Sequence, residues 1–542
     1  MLGLMQDYPL LVHTIIDHAA LNHGEREQVT RSVEGPLRRT TLADLRVNAL
    51  RVAAALERDG IAVGDRVATM AWNTDRHMEV WYGIMGIGAI CHTLNPRLFA
   101  EQLVYIVNHA QDRMLFVDLT FLPLIEHLMP HAPTIEKIIV LTDAAHMPAT
   151  SLANAVAYED WLDGTTADMA WKRFDENTAA GLCYTSGTTG NPKGVLYSHR
   201  SNVLHALMVN LPDVLKTDSN DVIMPIVPMF HANAWAIAFA GPMVGAKLVL
   251  PGSGMDGKSI YELLDGEQVT ATAAVPTVWL GLLQFLDETG SKLPYLKRVV
   301  IGGAACPPMM IDRFENDFDV EVIHGWGMTE MSPIGTTGSL KHASSQFDKA
   351  AQQKLKAKQG RTPYLVEMKI VDEEGNEQPR DGQAFGNLLV RGPAVAKGYY
   401  REAELAIDRD GWFDTGDIAT IDPLGYMQIT DRAKDVIKSG GEWISSIEIE
   451  NIALGCAGVA EAAVIGLPHV KWGERPLLVV VREAGSEIGK DAVLEFLKGK
   501  IASWWMPDDV VFVDELPHTA TGKIQKRDLR ETFKDYKLSD DA

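Results

Sequence analysis

An α/β fold in more than one domain is what the sequence predicts, and three observations predict it. Short apolar runs alternate repeatedly with longer amphipathic stretches, the pattern of largely parallel sheets with helices packed on their faces. The chain has 542 residues, too many for one compact core. Around residues 386–392 the alternation gives way to short strands and turns, as in a small β-rich subdomain.

The elements follow in order. Residues 41–58 have helical spacing, with Leu42, Leu45, Leu50, Val52 and Leu56 apolar. The turn Val63-Gly64-Asp65 leads into a strand at 66–70. Residues 114–117, 138–141, 247–250, 271–275 and 298–301 read as further buried strands. Beyond Lys434 comes another α/β unit, with a helix at 446–454 and strands at 461–466 and 476–481. No internal repeat or low-complexity tract interrupts this order.

Composition narrows the function classes. Lys+Arg 50 against Asp+Glu 72 leave a formal net charge of −22, which disfavours nonspecific nucleic-acid binding and anionic membranes. No apolar run reaches membrane-spanning length, and the N-terminus lacks the basic start and apolar stretch of a signal peptide. The C-terminus carries no peroxisomal tripeptide. Cys91, Cys183, Cys306 and Cys456 lie far apart without metal-ligand spacing and read as reduced thiols. A cytoplasmic protein is expected.

The most informative stretch runs Tyr184-Thr185-Ser186-Gly187-Thr188-Thr189-Gly190-Asn191-Pro192-Lys193-Gly194. Its glycines, hydroxyls and lysine suit a polyphosphate, because glycines let backbone N–H groups approach closely. It departs from the common nucleotide P-loop, since no Ser or Thr follows Lys193. A solvated Ser/Thr/Gly linker is the alternative. Four more blocks stand out: His324-Gly325-Trp326-Gly327-Met328-Thr329-Glu330, Trp412-Phe413-Asp414-Thr415-Gly416-Asp417, Asp431-Arg432-Ala433-Lys434-Asp435 with Lys438-Ser439-Gly440-Gly441-Glu442, and Pro517-His518-Thr519-Ala520-Thr521-Gly522-Lys523-Ile524.

Together, in this order, these blocks resemble the adenylate-forming superfamily of acyl-CoA synthetases, luciferases and peptide-synthetase adenylation domains. The resemblance spans nearly the whole chain. It implies a large N-terminal domain (1–433) of α/β/α sheets plus the β-rich subdomain, and a small mobile α+β C-terminal domain (434–542) hinged at Lys434. The implied activity is ATP-dependent joining of a carboxylic acid to the thiol of CoA, with Mg²⁺ as cofactor. Within the superfamily the wording is similar to bacterial medium-chain acyl-CoA synthetases and to the methylmercaptopropionate-CoA ligases of dimethylsulfoniopropionate breakdown. That implies 3-(methylthio)propionate and short- or medium-chain fatty acids as substrates. A homodimer is compatible with the resemblance.

The resemblance also implies roles. Lys523 would be the catalytic cation bridging carboxylate and α-phosphate, against the alternative of a solvated basic tail. Glu330 would hold Mg²⁺, and Thr329 would bond the α-phosphate or cap a helix. Thr185, Ser186, Gly187, Thr188, Thr189, Gly190 and Lys193 would cradle phosphates. Asp417 would accept from the ribose hydroxyls, with Arg432 beside it. The adenine would lie against Gly303-Ala304-Ala305 and His324-Gly325-Trp326-Gly327-Met328, although Trp326 could equally be a core aromatic. His231, Trp235, Gly302 and Pro333 would line the acyl pocket, His231 as a gate or as a structural histidine, with bulky Trp235 favouring a short or medium acyl group over a long chain. The methionines near that pocket read first as flexible packing. After adenylation the small domain would rotate, so that Lys438, Ser439, Gly440, Gly441, Glu442 and Trp443 line a pantetheine channel. Glu474 and Arg475 would support that arrangement or form a structural ion pair. Loading of a carrier protein and a noncatalytic binding protein are the competing readings.

Overall fold

The computed structural model describes residues 1, 3–185, 191–433, 435–439, 442–518 and 524–538, with the backbone alone for Glu442 and Trp443. Two large sheets form the body. One has seven strands in the order Ala155–Ala157, Lys137–Val140, Met114–Val117, Arg66–Met70, Ile90–Thr93, Ala179–Tyr184, Gly194–Ser198, all parallel except the last hairpin. The other has eight, in the order Ile334–Thr337, Glu321–Gly327, Arg298–Ile301, Ala271–Ala274, Val222–Pro225, Lys247–Leu250, Glu27–Arg31, Leu37–Thr41, parallel in its centre and antiparallel at both edges.

The largest core fills the space between them. The helix Asp75–Gly86 is buried at every position, as a helix sandwiched between sheets must be. Its charges are paired accordingly. Arg76 bonds Glu34 at 2.6 Å and Glu159 at 3.0 Å, and Asp75 meets Arg38 at 3.1 Å. Glu79 accepts from Asn48 at 2.8 Å and from Tyr158 at 2.7 Å, and burial raises its pKa above the ordinary carboxylate range. The neighbouring helix Leu42–Arg58 begins where the sequence pattern places it. Thr41 and Asp44 form a reciprocal cap, Thr41 Oγ1 accepting the Asp44 N–H at 3.1 Å and Asp44 Oδ2 the Thr41 N–H at 2.9 Å.

The β-rich subdomain is a four-stranded antiparallel sheet, Glu367–Val371, Phe385–Arg391, Phe413–Ile421 and Met427–Arg432. Beyond it lies a five-stranded sheet built from Ile437–Ser439, Glu442–Ile444, Val459–His469, Gly473–Arg482 and Asp509–Val513. The helix Ser446–Ala453 packs on that sheet and is tied to the strand Met427–Arg432 of the β-rich sheet through Asp431. The Asp431 carboxylate accepts the Ser446 N–H at 2.9 Å, and Ser446 Oγ also meets the ammonium of Lys526, which pairs with Glu450 at 2.8 Å. Burial alone would lower the Lys526 pKa; Glu450 and Asp431 more than reverse this and hold it above its ordinary value. Among the described residues no helix is long and apolar enough to cross a membrane.

Candidate active site

Topology brings the sequence blocks together. Val222–Pro225, Ala271–Ala274, Arg298–Ile301 and Glu321–Gly327 are neighbouring parallel strands, so the segments leaving their carboxyl ends share one edge of the sheet. Those segments carry Trp235, Val275, Gly302-Gly303 and Thr329-Glu330. The carboxyl edge of a parallel sheet is where α/β folds bind ligands.

The strands that flank the phosphate-type loop come from the other sheet and pair as a hairpin. Tyr184 pairs with Gly194, and the Thr185 N–H donates to the Lys193 carbonyl at 2.9 Å. Ser186, Gly187, Thr188, Thr189 and Gly190 lie outside the described residues. Two tyrosines tie the hairpin region to the 329–330 turn. Tyr197 donates to the Thr329 carbonyl at 2.7 Å, and Tyr399 donates to Glu330 Oε1 at 2.8 Å. The Lys193 ammonium sits 4.8 Å from the centre of the Tyr399 ring, a cation–π contact. Burial and the Glu330 charge push the Tyr399 pKa up, so its hydroxyl stays a donor.

Glu330 follows the strand Glu321–Gly327 in a short 3-10 turn, Thr329–Met331, and is 6% exposed. Its carbonyl accepts the Ala396 N–H at 2.7 Å. Thr329 is half-buried beside it. The chain turns back through a cis Ser332–Pro333 bond. Gly327 is required here, because a Cβ would run into the Pro333 carbonyl. Among the described residues no group of three or more His, Cys, Asp or Glu could hold a metal ion. A metal at Glu330 would take most of its ligands from elsewhere, which suits Mg²⁺ bound with phosphate and water.

Asp417 and Arg432 face each other across paired strands of the β-rich sheet, with Arg432 Nε 2.8 Å from Asp417 Oδ1. Trp326 Nε1 donates to Asp417 Oδ2 at 3.0 Å. Trp326 is thus a buried member of the β-subdomain core and an anchor for Asp417, the core alternative of the two read from sequence. Arg432 keeps 43% of its side chain exposed against 2% for Asp417. His324 is buried with its pKa driven down to about 4, first by burial, and is neutral. Gly303 has φ +78° and leads into exposed Ala304 and half-buried Ala305. Gly325 lies at Cβ contact distance from the Thr336 carbonyl, 3.4 Å, and Met328 packs against the β-subdomain core.

At the acyl end, Ala232, Asn233, Ala234, Trp235 and Ala236 all have positive φ, between 42° and 64°. Such a left-handed turn of non-glycine residues costs roughly 1–2 kcal/mol per residue. It delivers the Trp235 ring onto bare backbone: a Cβ on Gly302 would lie 3.2 Å from Trp235 Cη2 and 3.1 Å from the Gly325 carbonyl. His231 precedes the turn, half-buried, its N–H bonded to the Pro228 carbonyl at 3.0 Å.

In the C-terminal unit the Lys438 N–H donates to Glu474 Oε2 at 2.9 Å, and its ammonium pairs with Glu373 of the β-rich subdomain at 3.0 Å. Glu474 therefore supports the Lys438-Ser439 segment. Arg475 is a structural anchor: it pairs with Asp508 and donates to the carbonyls of Trp504 and Met506 at 2.8 and 2.9 Å. Ser439 is buried within hydrogen-bond reach of Arg475. Glu442 and Trp443 lie on the strand Glu442–Ile444. Lys434, Gly440, Gly441 and Lys523 lie outside the described residues. Tyr399 and Tyr197 were not among the residues read from sequence. Both sit outside the blocks, and a tyrosine after glycine or in a strand gives little signal.

Comparison with known proteins agrees with this geometry. Residues 16–400 match the model of the AMP-binding enzyme family, and residues 448–523 match the AMP-binding enzyme C-terminal domain. The chain is 51% identical over 537 residues to a 3-methylmercaptopropionyl-CoA ligase of Ruegeria pomeroyi, covering 99% of each protein. It is 46% identical to a medium-chain-fatty-acid–CoA ligase of Ectopseudomonas oleovorans, covering 99% of this chain and 98% of that one. Its fold matches the crystal structure of an anthranilate CoA ligase in complex with anthranoyl-AMP. That match has a TM-score of 0.84 and 25% identity, over 97% of this chain and 99% of the other.

Proposed function

The chain belongs to the family of AMP-binding enzymes, and from that premise we propose that it is an ATP-dependent acid–CoA ligase. A carboxylate oxygen attacks the α-phosphorus of ATP and pyrophosphate leaves, giving an acyl-adenylate. The CoA thiol then attacks the acyl carbon, its proton goes to solvent, and AMP leaves. The observation that carries the reading is the meeting, at one sheet edge, of the phosphate-type hairpin with the Thr329-Glu330 turn, through Tyr197, and of Trp235 with Gly302.

The difficulty of the first step is bringing an anionic nucleophile to a polyanion, so positioning and charge neutralisation dominate. Lys193, held over Tyr399, stands at the phosphate end. Glu330 would hold Mg²⁺, which supplies charge neutralisation on the phosphates, and Thr329 would donate its hydroxyl to the α-phosphate. Asp417, already fixed by Trp326 and Arg432, is the ribose acceptor. Lys523 contributes the second cation. Trp235 closes the acyl pocket at short length, which with the named relatives supports 3-(methylthio)propionate and short- or medium-chain fatty acids as substrates. The small domain (434–542) turns about Lys434 between half-reactions, exchanging Lys523 for the Lys438–Trp443 channel.

The test is AMP release with ATP and Mg²⁺ across acetate, butyrate, hexanoate, octanoate, 4-coumarate and 3-(methylthio)propionate, each with and without CoA. CoA-dependent release peaking at 3-(methylthio)propionate or butyrate is expected. A peak at coumarate or octanoate would discard the substrate assignment, and AMP release that ignores CoA would discard the ligase.

A further inference from the structure

The helix His199–Val209 presents two buried donors that nothing among the described residues accepts. Asn202 and His205 are three residues apart, hence on one helix face, and are 2% and 1% exposed. A relay of polar groups leads to Asn202. The Cys183 thiol points at Asn233 Oδ1 at 3.7 Å, and Asn233 Nδ2 donates to Asn202 Oδ1 at 3.4 Å. Asn202 Nδ2, at the end of the relay, has no partner among the described residues. His205 Nε2 accepts the Ile334 N–H at 3.0 Å. Burial drives the His205 pKa down to about 3, so the ring is neutral and its proton sits on Nδ1. That nitrogen also has no partner among the described residues.

The placement of these donors gives them meaning. Asn202 is bonded to Asn233, two residues before Trp235 in the left-handed turn. His205 is bonded to Ile334, directly after Pro333. The same helix face thus bridges the two walls, Trp235 and Pro333, between which the acyl group is read to lie. Ordinary core positions there would be apolar, because an unpartnered buried donor costs about 1–3 kcal/mol.

We propose that Asn202 and His205 form a polar end to the acyl pocket, selecting acids whose chain carries an acceptor atom, a thioether sulfur or ether oxygen, over all-carbon chains of the same length. This rests on the ligase reading above. It differs from generic apolar discrimination, in which swapping sulfur for methylene changes little.

The experiment compares kcat/KM for 3-(methylthio)propionate, 3-methoxypropionate and pentanoate, which match in chain length. In the wild-type enzyme the thioether acid is expected to exceed pentanoate by at least fivefold. In Asn202→Leu that ratio is expected to fall to twofold or less, whatever happens to the absolute rates. Binding of the corresponding acyl-sulfamoyl-adenosines, measured by calorimetry, reads the same ratio without turnover. A wild-type ratio near one in both measurements would mean that the donors serve a trapped water, and overturns the proposal even if Asn202→Leu fails to fold. A ratio unchanged in Asn202→Leu overturns it as well. Hexanoate serves as the reference acid: turnover of hexanoate with no thioether preference sinks this inference and leaves the ligase standing. Absence of CoA-dependent turnover with every acid sinks both.

Discussion

The two ends of the candidate pocket are built in opposite ways. At the nucleotide end the charged groups already have partners: Asp417 is fixed by Trp326 and Arg432, and Glu330 by Tyr399 under Lys193. At the acyl end five consecutive residues sit at positive φ, a tryptophan rests on bare glycine, and two buried donors lack acceptors among the described residues. One end is preorganised for a fixed ligand through hydrogen bonds. The other holds its shape through backbone strain and packing, features that a few substitutions can retune. A family that keeps ATP and varies the acid calls for that division.

The strongest way to break the comparison is at the nucleotide end. Glu330→Gln keeps the Tyr399 bond but removes the charge, and ATP–pyrophosphate exchange is expected to fall about 10²–10³-fold, the scale of a lost transition-state contact. A variant within threefold of wild type would remove Glu330 from the phosphate site. Trp235→Ala acts at the other end. With the ring gone from Gly302, the preference for decanoate over hexanoate is expected to rise by about tenfold or more, since each methylene is worth ~1–3 kcal/mol in an apolar pocket. An unchanged chain-length profile would show that Trp235 is not the wall.

Tyr399→Phe sharpens the contrast. It retains the ring beneath Lys193 and deletes only the hydroxyl on Glu330. Loss of one hydrogen bond to a charged acceptor, about 1.5–3 kcal/mol, predicts at least a tenfold drop in exchange rate with the chain-length profile untouched. A changed profile would mean that the two ends are coupled, contrary to their separate construction.

These differences track what the chain discloses. Much of the nucleotide end is legible because its groups fall in contiguous blocks, and strand order alone carries Gly302, Thr329 and Glu330 to one edge. The strands at 66–70, 114–117, 247–250 and 298–301 are legible for the same reason: buried strands are short apolar runs. Tyr399 and Tyr197 are not legible, because their meaning depends on which loop folds over them. Trp326 stayed ambiguous in the sequence, since a buried aromatic with one polar tip reads alike as a base-stacking wall or as the anchor of Asp417. The Lys438–Glu373 pair depends on how the C-terminal unit sits against the β-rich sheet, which no local pattern encodes. Least legible of all is the left-handed turn, for nothing in Ala232-Asn233-Ala234-Trp235-Ala236 carries the glycine that normally announces positive φ.

That turn supplies the smallest and most diagnostic effect. Ala236 has φ 64° and ψ 3°, where an L-residue is strained by roughly 1–2 kcal/mol and glycine is not. Glycine loses roughly 0.5–1 kcal/mol through chain entropy. The two terms nearly cancel, so Ala236→Gly is expected to leave the unfolding midpoint unchanged or slightly raised. Ala206 provides the opposite case, being buried in the right-handed helix His199–Val209. There Ala→Gly has no strain to relieve and is expected to destabilise by about 1 kcal/mol or more. Thermal unfolding of the two variants side by side reads the sign directly. Equal destabilisation of both would mean that residue 236 is not left-handed in solution, and the acyl end would lose the strained turn that distinguishes it from the nucleotide end.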